Sequence, residues 1–166
     1  MTDRPPILLL LNLRFWAASL KSRLTAAQTI PNWKTSRSEV DMNVFDDVKN
    51  FMTACDQGKS GEIAQLYLEL INEEMNELSE AVEGGNDVAT LDAICDTMWT
   101  LIGYAHAKGY PIETAWDSVA LSNLRKIDLK TGKVNRRADG KVLKPEGWKP
   151  PDISRILEDS GFGKSA

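Results

Sequence analysis

Residues 62–83, EIAQLYLELINEEMNELSEAVE, decide the fold. Ile63, Leu66, Tyr67, Leu70, Ile71, Leu78, Ala81 and Val82 recur at three- and four-residue intervals, the period of one face of an α-helix. Continuing that stripe by the same steps lands on Glu74 and Glu77, with Glu73 at its edge. The spacing therefore predicts a long helix that turns carboxylates toward its own core. Glu69, Glu80 and Glu83, with Asn72 and Asn76, fall on the solvated side.

The neighbouring segments extend the helical reading. Val44 to Ala54 forms a first helix, with Val44, Val48, Phe51 and Met52 on one face. Gly84-Gly85 stops the long helix, and Asn86 or Asp87 caps a third, which runs to about Lys108 before Gly109. In that third helix the stripe Val88, Leu91, Cys95, Met98, Trp99 and Ile102 would bring Asp92 and Asp96 onto or beside the inward face. Pro111 suits the first turn of a fourth helix ending near Asp128. Lys133–Arg137 and Lys141–Lys144 flank Ala138-Asp139-Gly140, a short basic hairpin. Gly147 to Asp152 reads as a Pro-rich loop, and Ile153–Glu158 as a last helical turn. The expected class is all-α: an antiparallel helical bundle with a four-helix core and a short basic C-terminal hairpin. Two long helices with inward polar groups need a second pair to close a bundle, so a homodimer or homotetramer is expected.

Composition excludes several alternatives. The 166 residues, 42% of them hydrophobic, suffice for one core and not for two ordinary domains. A net charge of −4 is not that of a polybasic nucleic-acid binder. Two cysteines, with no CxxC pair, and a single histidine, His106, argue against zinc and against a Ser-His-Asp triad. Cys95 and His106, both in an apolar helical run, read as structural. No twelve-residue calcium loop is present, and no apolar run reaches the ~18 residues of a membrane span. Residues 1–41 differ from the rest, with six bases, three acids and a greasy run, Ile7–Leu11, cut short by Asn12 and Arg14. They read as an extension, dispensable to a domain spanning 42–166 that opens at Met42, rather than as an export signal.

The charges are segregated. Ser60 to Ala107 has no lysine or arginine but holds ten carboxylates, whereas Leu121 to Lys149 holds nine bases against three acids. Carboxylates turned inward without a basic neighbour would repel one another and lose hydration. Protonation, a base from elsewhere such as Arg125 or Lys126, or a divalent cation would relieve this. Hard oxygen donors from two helices suit Mg²⁺, with Mn²⁺ as a substitute.

The runs Leu70-Ile71-Asn72-Glu73-Glu74-Met75-Asn76-Glu77-Leu78 and Asp92-Ala93-Ile94-Cys95-Asp96-Thr97-Met98-Trp99 resemble the MazG/HisE-type all-α nucleoside triphosphate pyrophosphohydrolases. E-E-x-x-E on one helix and an acidic pair on the next are that family's signature. The likeness continues through Gly103, Gly109, Ser122-Asn123-Leu124-Arg125-Lys126, Asp139-Gly140-Lys141-Val142-Leu143-Lys144 and Pro150-Pro151-Asp152. It covers roughly Met42 to Ile153 and looks most like phage-type members, including the MazZ-like group. One position departs: many members have glutamate where this chain has Ala93, and the acid here is Asp92.

The resemblance implies Mg²⁺-dependent cleavage of the α–β phosphoanhydride of a (deoxy)nucleoside triphosphate, dGTP or GTP among the candidates, to the monophosphate and pyrophosphate. It implies Glu74, Glu77, Asp92 and Asp96 as metal ligands, and Glu73 or Glu74 as the group that takes a proton from the attacking water. Asn123, Arg125, Lys126, Lys141 and Lys144 would hold phosphates or sugar, and Trp99 would serve as a base platform or as core. A phage-encoded enzyme of this kind would work in the host cytoplasm. Phosphoribosyl-ATP is a rival substrate. A non-enzymatic helical module binding nucleic acid through its bases is a rival function, which leaves the inward carboxylates without a purpose.

Overall fold

The computed structural model describes residues 43–163; residues 1–42 and 164–166, and with them the expectation of a dispensable extension, lie outside the described part. Helix α1 (Val44–Ala54) is followed by α2 (Gly61–Glu83), α3 (Asp87–Lys108) and α4 (Ile112–Leu124). Two short strands, β1 (Ile127–Asp128) and β2 (Lys133–Val134), precede α5 (Ile153–Asp159). The helices start where local chemistry dictates. Side-chain oxygens of Asn43, Ser60, Asn86 and Asp152 accept from the backbone N–H of Phe45, Ile63, Ala89 and Arg155, at 3.0–3.2 Å. Asn86, not Asp87, is thus the cap of α3. That helix stops at Gly109, whose φ of +71° is the left-handed conformation a glycine adopts freely.

The α2–α3 hairpin is the backbone of the domain. Ala64, Tyr67, Leu70 and Glu74 are buried on α2, and Ala93, Thr97, Thr100, Ile102, Gly103, Ala105 and Ala107 on α3. This overturns the N-terminal part of the expected stripe on α3, although Ile102 is buried and Trp99 half-buried as expected. Val88, Leu91, Cys95 and Met98 are exposed, the first of them by 82%. The inward face is instead made of small residues, because the helices approach closely: the ring of Tyr67 occupies the space beside Gly103. The Tyr67 hydroxyl donates to Gln57 Oε1 at 2.9 Å, and burial followed by the Cys55 charge pushes its pKa up to about 12. Thr97 and Thr100 turn their hydroxyls back to carbonyls of their own helix, at 2.8 and 3.1 Å, so a polar inward face carries no unpaired hydroxyl.

Helix α1 packs on α3 through Phe45, Val48 and Met52, while Val44 faces water. Phe51 meets Trp99 edge-on, ring centroids 5.4 Å apart. His106 Nε2 hydrogen-bonds the Phe45 carbonyl at 3.0 Å, the structural role expected of it. The phenyl ring of Phe45 also meets Trp116 of α4, at 6.4 Å.

Helix α4 ends at Leu124, short of the expected Asp128. Asp128 instead accepts from Lys130 and Thr131 N–H and bends the chain into the β1–β2 hairpin, Ile127 opposite Val134 and Asp128 opposite Lys133. Of the expected hairpin around Asp139, a single bridge between Arg136 and Val142 forms, flanked by Arg137 N–H to Lys141 O and Leu143 N–H to Asn135 O. At the C-terminal end, the Phe162 ring returns to Tyr110, 4.9 Å away, and α5 packs on α4.

Candidate active site

Glu74 is 6% exposed, the charged side chain among the buried residues described. Its place follows from the α2 stripe, four residues beyond Leu70 and one turn before Leu78. Burial first, then the charges of Asp96, Glu77, Glu73 and Asp92 in that order, push its carboxyl up to about 7. Five carboxylates from two antiparallel helices thus share one electrostatic field, with Glu74 at its centre. Asp96 is half-buried, whereas Glu73, Glu77 and Asp92 stand exposed. Glu77 was expected on the buried side; in this chain it lies one helical step off the α2–α3 contact and reaches water.

The ion pairs between described residues are Arg137–Asp139 and Arg155–Asp159, both at the surface and away from α2 and α3. None of these neutralises Glu73, Glu74 or Glu77. Lys126, one candidate for folding back, donates to Asn123 Oδ1 at 2.8 Å instead. Among the described residues no three acidic, histidine or cysteine side chains stand together in metal-holding geometry. Mutual repulsion accounts for this at Glu73 and Glu77, which are exposed and keep their charges hydrated. The donor set nevertheless fits a hard divalent cation, being all carboxylate oxygen, partly desolvated and without a described base in ion-pair reach of its three glutamates.

Trp99 lies on α3 one turn after Asp96 and is half-buried. Its Nε1 is buried without a hydrogen-bond partner.

The bases gather elsewhere. Lys126 and Lys144 place their ammonium groups over the ring of Trp148, 5.3 and 4.1 Å from its centre. Trp148 Nε1 in turn donates to the carbonyl of buried Ser122 at 2.8 Å, which fixes the ring against the last turn of α4. The structure therefore joins Asn123, Lys126 and Lys144 into one group. Arg125, the C-cap of α4, is exposed and outside it. Lys141 is exposed in the loop that Asp139 organises by accepting the Lys141 N–H. Trp148 was missed by sequence reading; an aromatic between Lys144 and Lys149 was its one signal.

Residues 48–123, from the middle of α1 to the end of α4, match the family model described as phosphoribosyl-ATP pyrophosphohydrolase. A comparison with curated proteins finds no match. No described helix is long and apolar enough to cross a membrane.

Proposed function

Because residues 48–123 match the phosphoribosyl-ATP pyrophosphohydrolase family model, we propose a Mg²⁺-dependent enzyme of that family that cleaves the α–β phosphoanhydride of a nucleoside triphosphate. The products are the monophosphate and pyrophosphate. The observation that carries this reading is Glu74, buried amid four further carboxylates with no described base to neutralise it.

Glu74, Glu77, Asp92 and Asp96 would hold Mg²⁺, which Mn²⁺ would replace. When bound, the cation screens the polyphosphate charge and acidifies water. The chain supplies the rest. Glu73, exposed beside Glu74, accepts a proton from the attacking water without first being desolvated. Glu74, with its affinity for protons raised, is the other acceptor. Trp99, half-buried and edge-on to Phe51, would serve as a base platform or as core. Lys126, Lys144 and Asn123 bind phosphate, with Arg125 and Lys141 as more distant, exposed bases. The acidic hairpin alone would repel a triphosphate, so the cation and the lysines are both required for binding.

The apolar surface left on the hairpin favours a second copy of the chain. Leu68, Met75 and Val82, seven residues apart on α2, and Val88, Leu91, Met98 and Leu101 on α3 are all exposed. Large apolar side chains along both helices of the hairpin suit burial against a second pair, which would close a four-helix bundle.

Turnover of a panel of ribo- and deoxynucleoside triphosphates, dGTP and GTP included, with and without Mg²⁺, tests the proposal. Release of pyrophosphate rather than orthophosphate is the expected result. Phosphoribosyl-ATP belongs in the panel as a second reading, because it is the substrate in the matched family's description. No pyrophosphate from any member would overturn the enzymatic reading in favour of a binding module.

A further inference from the structure

Two lysines far apart in sequence share one ring. Lys126 follows α4 and Lys144 follows the Arg136–Val142 bridge, yet both ammonium groups lie over Trp148. Like charges do not converge unaided. What draws each of them is the ring's electron-rich π system, itself fixed by the indole N–H bond to the Ser122 carbonyl. The loop is shaped for this: Gly147 has a φ of +73°, and Trp148 N–H donates to Pro145 O at 3.1 Å. Neither lysine pairs with a carboxylate among the described residues. Asn123 adds an amide to the same group through Lys126 Nζ.

We propose that Trp148 is a positioning residue that assembles Lys126 and Lys144 into a two-cation clamp for the pyrophosphate end of the substrate. This rests on the pyrophosphohydrolase reading for the identity of the ligand. A diphosphate is the class that fits, because two linked anionic phosphoryl groups match two ammonium groups gathered at one ring. The ring serves the cations rather than a nucleobase, since the ammonium groups already lie over it. Recognition is therefore of the leaving group, shared by every substrate of the class, and base selectivity is set elsewhere.

The test uses the full chain, titrated with inorganic pyrophosphate and with a nucleoside monophosphate, alongside steady-state kinetics on the best triphosphate. Trp148→Leu is expected to weaken pyrophosphate binding and raise KM by about three- to thirtyfold, the span from an exposed to a desolvated cation–π contact. The monophosphate affinity and kcat should stay within about twofold, a split that general loosening of the fold would not produce. Trp148→Phe, which keeps a ring and loses the Ser122 bond, should fall between the two. In a Lys126→Met/Lys144→Met background the Trp148→Leu effect should vanish, because the ring acts only through those cations. Unchanged pyrophosphate affinity in folded Trp148→Leu overturns the proposal, as does a loss of equal size in the lysine-free background. If Trp148→Leu fails to fold, Trp148→Phe and the two single lysine variants decide: weakened pyrophosphate binding in all three supports the clamp, and unchanged binding in any one of them overturns it. Pyrophosphate binding that depends on Trp148 in a protein that hydrolyses no triphosphate would sink the proposed function and leave the clamp standing.

Discussion

The Cε1 atom of Tyr67 lies 2.0 Å from where a Cβ on Gly103 would be. No rotation within the hairpin frees that space, because Tyr67 is 3% exposed and bonded to Gln57. The contact fixes how closely α2 and α3 approach, and hence how far Glu74 stands from Asp96 across the pair.

Gly103→Ala is therefore expected to destabilise the protein by about 1–3 kcal/mol or more, the cost of overpacking a tight core. Adding Tyr67→Leu should recover part of it, since the smaller side chain vacates the space. Chemical denaturation of the two single variants and the double one measures the coupling. Additive losses would mean that the two residues do not set the spacing.

Glu74→Gln keeps the shape of the side chain and removes its charge. Pyrophosphate release should drop by orders of magnitude if the charge holds a cation or takes a proton. Melting without metal should stay level or rise, because a repelled, buried carboxylate has gone. Mg²⁺ should raise the midpoint of the original protein more than that of the variant. A metal-free variant that melts well below the original would instead reveal a buried base paired with Glu74.

The pH dependence has a definite sign. In the folded chain Glu74 stays protonated up to about 7, against an ordinary 4.5. Its contribution to stability is thus fully present below about 4.5 and is lost as pH rises through about 7. Metal-free protein should lose stability across that window, and Glu74→Gln should flatten the profile there. Denaturant midpoints at half-unit pH steps give the comparison; parallel profiles would contradict the assignment.

Leu91→Glu or Met98→Glu should leave helix content unchanged and convert a dimer or tetramer to a monomer. Both side chains are more than half exposed, so neither supports the core of a single chain. Light scattering of the original protein at several concentrations is the check, and a strictly monomeric original would dismiss the second copy.

Much of this was legible in the sequence. The α2 stripe, the Gly84-Gly85 stop and the burial of Glu74 all follow from a three-to-four-residue period, which a long amphipathic helix states plainly. The face of α3 was not legible. Most of its large apolar residues mark an outer surface, and apart from Ile102 its core contacts are alanine, threonine and glycine, which no hydrophobicity pattern singles out. At Gly103 the reason is Tyr67, whose ring leaves no room for a side chain there. Trp148 was hidden for a different reason. Its role comes from two lysines brought together by chain folding, and nothing local to residue 148 encodes their approach.

The segregation of charge also governs how the molecule can be cut. Trypsin, which requires lysine or arginine, has no cleavage point between Lys59 and Lys108, so it releases α2 and α3 still joined, as 60–108, even from the unfolded chain. A glutamate-directed protease meets the same segment at seven glutamates and can sever it only where a helix opens. The two enzymes would thus time different events in one protein, trypsin the loosening of the flanks and its counterpart the opening of the acidic hairpin itself.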